Sequence, residues 1–173
     1  MKLDEFFSAL DQYEDCVPLP ELCALQRKLE ITPEDVRDVM HFDDECYQRN
    51  PLRSGTAYEA LILCWKDGQA SPIHDHRGSS CGVLVLEGEC TELIFTRDEN
   101  GMLAERQTNQ LPHRSVCGSY DTDIHEIANR QGDGTNLVTL HIYSPPLTSF
   151  GVYCRDSAQV TEAISTVRTP LTA

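Results

Sequence analysis

The segment Gly68-Gln69-Ala70-Ser71-Pro72-Ile73-His74-Asp75-His76-Arg77-Gly78-Ser79-Ser80-Cys81-Gly82-Val83-Leu84-Val85-Leu86-Glu87-Gly88 sets two histidines, one residue apart, ahead of an apolar run bounded by glycine. On a strand, side chains at i and i+2 share a face, so His74 and His76 would turn two imidazoles to one side. Paired imidazoles suit a divalent transition metal. Taken singly, each of the six histidines (His41, His74, His76, His113, His125 and His141) reads as a surface or core residue. The surroundings of His74 and His76 add weight to a metal site there. Gly68 and Gly88 stand where tight turns would close the ends of a strand pair.

Outward from this segment the chain keeps the same character. Short apolar runs at Ala60–Trp65, Gly82–Leu86, Glu92–Thr96 and Leu137–Tyr143 alternate with Gly, Pro, Asp and Asn. Asp98-Glu99-Asn100-Gly101 is a turn signal between two of them. Many short strands with turns between them predict a sandwich or barrel. The first 45 residues or so differ. Leu3, Phe6, Phe7 and Leu10 recur at helical spacing, and Pro18 and Pro20 end that pattern. A second helix is expected from Glu21 to about Leu29, burying Leu22, Leu25 and Leu29. Thr32-Pro33-Glu34-Asp35 reads as a third helix start, with a capping threonine, proline in the first turn and acids at the positive end of the dipole. Val36, Val39 and Met40 would be its buried face. From about Ala158 to Val167 the pattern fits a strand or a short helix equally. The whole reads as a single domain over 1–173, with a helical segment over about 1–45 and strands over about 46–173.

Composition narrows the function. The 173 residues carry 14 Lys and Arg against 28 Asp and Glu, a formal charge of −14. Such a surface repels a phosphate backbone, which argues against nucleic-acid binding. No apolar run approaches the roughly 18–20 residues of a membrane span. The start, Met1-Lys2-Leu3-Asp4-Glu5, lacks signal-peptide features, so a cytoplasmic location is expected. Eight cysteines occur without a CxxC pair, and several, such as Cys64, sit in apolar runs where a free thiol packs as a small hydrophobe. No oligomerisation signature is visible, and a monomer is expected.

The spacing around His74 resembles the first metal-binding motif of the cupin superfamily. Five residues separate Gly68 from His74, one separates His74 from His76, four separate His76 from Cys81, and six separate Cys81 from Gly88. In cupins a glutamate ligand would stand at the place of Cys81. His125 with Asn129 resembles the second motif, although Tyr120 and Thr122 replace its proline and glycine. The resemblance implies a mainly β fold, a cupin jelly-roll β-barrel with N-terminal helices, and His74, His76 and His125 as metal ligands. Three neutral imidazoles leave the metal its full charge, which favours an anionic substrate ligand such as a thiolate and leaves room for oxygen.

Further segments are similar to one family in particular, the cysteine dioxygenases. They are Tyr47-Gln48-Arg49-Asn50, Leu61-Ile62-Leu63-Cys64-Trp65, the histidine pair with Cys81, and Leu140-His141-Ile142-Tyr143-Ser144-Pro145-Pro146. Together they span roughly residues 45 to 147 in the family's order. The resemblance implies a mononuclear non-haem Fe(II) enzyme that uses O2 to oxidise the thiol of free L-cysteine to cysteine sulfinic acid. It implies Arg49 as the partner of the substrate carboxylate, gripped by a planar guanidinium fork. It implies Tyr143 as hydrogen-bond donor at the reacting centre, His141 orienting Tyr143, Thr139 joining through its hydroxyl, and Tyr47 assisting at the substrate end. In animal members a cysteine at the place of Cys81 forms a thioether with the tyrosine at the place of Tyr143, and both residues are present here. Three alternatives remain open: a 3-mercaptopropionate dioxygenase, which typically has glutamine in place of Arg49; another metal enzyme on a cupin scaffold, such as an isomerase; and a non-catalytic metal-binding cupin.

Overall fold

The computed structural model describes residues 1–166. Helix α1 (Leu3–Leu10) and helix α2 (Leu19–Lys28) precede eleven strands. Both helices follow the apolar spacing, with Phe6, Phe7, Leu10 and Leu22 buried. Helix α2 begins two residues earlier than expected, because Pro20 falls in its first turn, where a missing N–H leaves no bond unmade. The third segment, Pro33–Val39, is a 3₁₀ helix. At its start the Asp35 carboxylate accepts from the Thr32 N–H at 2.8 Å and from the Thr32 hydroxyl at 2.7 Å, so the threonine hydroxyl donates to the acid. Val36 is buried, whereas Val39 and Met40 are half-buried.

The strands form two antiparallel sheets. The first contains β1 (Gln48–Ser54), β2 (Glu59–Trp65), β9 (Leu137–Ser144), β4 (Ser80–Glu87) and β7 (Val116–Ser119), in that spatial order. The second runs β11 (Ser157–Ile164), β10 (Ser149–Cys154), β3 (Ile73–His74), β8 (Ile124–Ala128), β5 (Cys90–Arg97) and β6 (Leu103–Leu111). The fold is a jelly roll of two open sheets and not the closed barrel expected. The C-terminal stretch resolves to a strand, β11, while Val167 lies outside the described residues.

The first sheet is covered on both faces, which is why β2, β4 and β9 read as near-continuous apolar runs and not as alternating ones. Ala60, Ile62, Cys64, Leu84, Val138, Leu140 and Ile142 face the helices and pack with Phe6, Leu10 and Leu22. Burying one such leucine stabilises the fold by about 1.5–3 kcal/mol. The helices come close because β7 carries Gly118, whose added Cβ would lie 2.8 Å from Cys23 Sγ and 3.0 Å from Leu19 Cδ1. The other face carries Leu61, Leu63, Trp65, Cys81, Val83, Val85 and Tyr143, and it packs against Cys90 and Ile127 of the second sheet. The polar residues on this inner face build the site.

The turn signals hold their places. Gly68 and Gly88 have φ of +85° and +76°, and a Cβ on Gly88 would meet the Asn136 carbonyl oxygen at 2.5 Å. The Asp98–Gly101 turn joins β5 to β6, with Gly101 N–H donating to Asp98 O at 3.0 Å.

Candidate metal and substrate site

Strand β3 is only two residues long, so His74 lies on it and His76 just beyond. The backbone there stays tethered on both sides: Asp75 N–H donates to Gly151 O at 3.1 Å and His76 N–H to Asp121 O at 3.0 Å. His125 lies on β8, directly opposite His74 in the ladder. The three imidazoles are buried, and one ligand atom from each falls within 4.8 Å of the others.

Two of the three rings are set from their far side. His74 Nδ1 lies 2.9 Å from the Pro72 carbonyl oxygen, so Nδ1 donates and Nε2 keeps its lone pair. His125 Nδ1 lies 3.1 Å from Glu92 Oε1, and Glu92 Oε2 accepts from Asn109 at 3.1 Å. Burial works to raise the Glu92 carboxyl, but the bonds from His125 and Asn109 outweigh it and hold the group below its ordinary range. His76 Nδ1 is buried without a partner. Burial, followed by the charge of His125, pushes His74 down to about 3, and the same causes hold His76 far below its usual range. Both rings are thus neutral at pH 7, the state that ligates a metal.

The donor set fits a cation. His125 Nε2 and His76 Nε2 are 3.3 Å apart. Two imidazole nitrogens about 2.1 Å from a shared ion subtend roughly 105° at that separation.

Asp75, between two of the histidines, points away from them. Its carboxylate accepts from Gly151 N–H at 2.7 Å and from the Tyr153 hydroxyl at 2.6 Å, which fastens this loop to β10. Asn129 also turns out to be a fastener: its Nδ2 donates to Trp65 O at 3.2 Å and to Thr135 O at 2.9 Å.

A second polar row lines the first sheet. Trp65 Nε1–H donates to Thr139 Oγ1 at 3.0 Å, and His141 Nε2 lies 3.0 Å from the same oxygen. Tryptophan can only donate. Among the contacts of the described residues, the Thr139 proton then has one acceptor, His141 Nε2. This polarity places the His141 proton on Nδ1, which lies 3.5 Å from the Tyr143 hydroxyl and 3.8 Å from Cys81 Sγ. Tyr143 accepts from His141 and is left with its own proton to give into the pocket. Burial raises both the Tyr143 hydroxyl and the Cys81 thiol far above their usual ranges, so both stay protonated. Cys81 and Tyr143 are direct cross-strand neighbours. The Tyr143 ring is 5.5 Å from the His76 ring, centre to centre, and the Arg49 guanidinium is 5.2 Å from the Tyr143 ring centre.

Arg49 projects from β1 and donates from Nη2 to Ser165 Oγ at 3.1 Å, while its Nε is buried without a partner. Asp44 pairs with Lys66 and not with Arg49. Tyr47 stacks on Trp65 with ring centres 4.1 Å apart.

All nine residues anticipated from sequence therefore meet in one region: His74, His76, His125, Tyr143, His141, Cys81, Arg49, Tyr47 and Thr139. Sequence reasoning missed the parts played by Trp65, Glu92 and Asp75. Glu92 left a signal, an acid inside the run Cys90-Thr91-Glu92-Leu93-Ile94-Phe95. Trp65 left a weaker one, as the sole tryptophan, at the end of an apolar strand.

A jelly roll that gathers three buried imidazoles between its sheets has the architecture of a cupin with a candidate metal site. The crystal structure of a Klebsiella pneumoniae protein with a double-stranded β-helix domain matches the fold. Its TM-score is 0.54 at 14% identity, covering 68% of this chain and 87% of that one. The family described as cysteine dioxygenase type I matches residues 7–156, and the chain belongs to that family. Cysteine dioxygenase type 1 of Danio rerio is 28% identical over 173 residues, covering 96% of this chain and 84% of the relative. The Rattus norvegicus protein of the same name is 26% identical over 168 residues, covering 91% and 84%.

Proposed function

We propose that this protein is an iron(II)-dependent dioxygenase that converts the thiol of free L-cysteine to a sulfinate. The observation that carries this reading is a metal donor set of three imidazoles with no carboxylate among them, beside a buried arginine with an unpartnered Nε. Family membership supports it. His74, His76 and His125 would hold the metal, which when bound supplies the redox chemistry joining O2 to a thiolate sulfur. Arg49 binds the substrate carboxylate through its planar fork, starting from the unpartnered Nε. Tyr143, its proton unclaimed by His141, donates a hydrogen bond to negative charge that develops beside the sulfur. Trp65, Thr139 and His141 hold that phenol in orientation, and the apolar inner face excludes water. The reaction takes place in a monomer in the cytoplasm, on one domain spanning the chain.

The Cys81–Tyr143 pair is proposed to form a thioether. A C–S bond would replace the thiol S–H and one ring C–H, with two hydrogens and their electrons passing to oxygen. Intact mass after aerobic turnover would fall by two hydrogens, and an unchanged mass would sink this part of the proposal.

The deciding experiment is oxygen uptake by ferrous-loaded protein with L-cysteine and, separately, 3-mercaptopropionate, with the product identified by mass spectrometry. Uptake with cysteine coupled to cysteine sulfinate supports the reading. A preference for 3-mercaptopropionate moves the protein to that sister activity, and no uptake with either thiol leaves a metal-binding cupin.

A further inference from the structure

Two buried polar atoms of opposite charge lie in this region, and neither has a hydrogen-bond partner among the described residues: Arg49 Nε and Glu59 Oε2. Glu59 opens β2 and stands opposite Tyr143 in the β2–β9 ladder, while Cys81 stands opposite Tyr143 from the other side. Paired residues share a face, so Glu59, Tyr143 and Cys81 form one row on the inner surface. Burial raises the Glu59 carboxyl above its ordinary range, and the charge of Arg49 only partly offsets this, so the two groups sense each other. Arg49 nonetheless gives its Nη2 to Ser165, and it forms no hydrogen bond with Glu59.

Leaving a buried donor or acceptor unmade costs about 1–3 kcal/mol. An arginine and a glutamate whose charges sense each other could cancel that cost by pairing. These two remain apart, each with a free atom. The arrangement complements a ligand that carries an anion and a nitrogen donor on adjacent atoms, which is the headgroup of an α-amino acid. A thiol acid without the amine would satisfy Arg49 and leave the Glu59 carboxylate facing a second anion.

We infer that Glu59 accepts a hydrogen bond from the substrate's amino group, so that Arg49 and Glu59 together select an α-amino thiol over a thiol acid. This inference rests on the function proposed above and assigns the residue that sets its substrate class. Free or metal-ligated, an amino group keeps N–H donors for Glu59. Glu59 thereby supplies the second half of a discrimination that Arg49 alone cannot make, since cysteine and 3-mercaptopropionate both carry a carboxylate.

The test compares KM on iron-loaded wild type and Glu59→Gln with three thiols: L-cysteine, 3-mercaptopropionate (no amine) and cysteamine (no carboxylate). Glutamine keeps the size and removes the charge. The expected result is a rise in KM of about 10- to 100-fold for L-cysteine and cysteamine. KM for 3-mercaptopropionate falls, because a carboxylate no longer opposes the anion. Changes below about two-fold in the ratio of cysteine to 3-mercaptopropionate specificity, or equal losses for all three thiols, would overturn the inference. Anaerobic calorimetric binding of L-cysteine and 3-mercaptopropionate to the same proteins keeps the two readings apart. If neither thiol is oxidised, the proposed activity fails. Glu59 then still stands if Gln weakens cysteine binding selectively, and falls if it does not. Circular dichroism checks folding, and Glu59→Asn serves as the second variant should Gln disturb it.

Discussion

Thr139→Val removes one hydroxyl from a completely buried position and replaces it with a methyl of similar volume. Two hydrogen bonds go with it, from Trp65 Nε1 and to His141 Nε2, each 3.0 Å long. The valine fills the space, so no cavity contributes. What remains is an indole N–H and an imidazole nitrogen without partners, at about 1–3 kcal/mol each, or roughly 2–5 kcal/mol together. In urea, with m of about 2 kcal/mol per molar, the unfolding midpoint of the metal-free protein should fall by roughly 1–2.5 M at unchanged m. Thr139→Ser, which keeps the oxygen, should recover most of that. The same variant tests the polarity of the row. In wild-type protein labelled with ¹⁵N-histidine, His141 should show a protonated Nδ1 and an unprotonated Nε2. In Thr139→Val that preference should be lost, while it persists in Thr139→Ser. A Thr139→Val midpoint within a few tenths molar of wild type, or a His141 that already carries its proton on Nε2, would refute the assignment of donors along Trp65, Thr139 and His141.

Three further outcomes follow from the geometry. Glu92→Gln keeps an acceptor for His125 Nδ1 but removes its negative charge, and metal affinity measured by competition with a chelator should fall about 10- to 100-fold, with the fold retained. Gly151→Ala would set a Cβ 2.8 Å and 3.0 Å from the Asp75 carboxylate oxygens, which the bonds from Gly151 and Tyr153 hold in place. It should cost about 1–3 kcal/mol and lower the thermal midpoint by several degrees, roughly 2–4 °C per kcal/mol. Arg49→Lys keeps the charge but loses the planar fork and the Nε donor, so KM for L-cysteine in the oxygen-uptake assay should rise at least about 10-fold, whereas a KM equal to wild type would show that the carboxylate binds elsewhere.

The parts of this protein legible in its sequence are those where local spacing carries the information. Helix α1 declares itself by Leu3, Phe6, Phe7 and Leu10, and the strands by apolar runs between glycines. His74 and His76 are two residues apart, so the chain itself brings them together. The boundaries failed where tertiary contacts override local signals. Strand β3 stops at His74 because its next residues bond alternately to β10 and to the segment before β8, an arrangement no local pattern encodes. Closure of the barrel was also not decided by periodicity, since strands of an open sandwich and of a barrel read alike.

The residues missed in sequence are those whose role depends on register. Glu59 looks like the polar start of a strand until its partner across the ladder is known to be Tyr143. Glu92 is more telling. In the cupin pattern a glutamate ligand stands at the place of Cys81, and cysteine there reads as a loss of negative charge from the site. The fold supplies a buried carboxylate elsewhere, against the far nitrogen of His125. One imidazole separates it from the metal position, so it can raise the basicity of that ligand without occupying a coordination place. The donor set itself contains no carboxylate, and on the proposed function a thiolate would supply the anion that a divalent ion in this site still lacks. Removing the carboxylate from the ligand set while keeping it behind a ligand therefore favours an anionic sulfur substrate, and the β5–β8 pairing that places Glu92 behind His125 belongs to that chemistry as much as the histidines do.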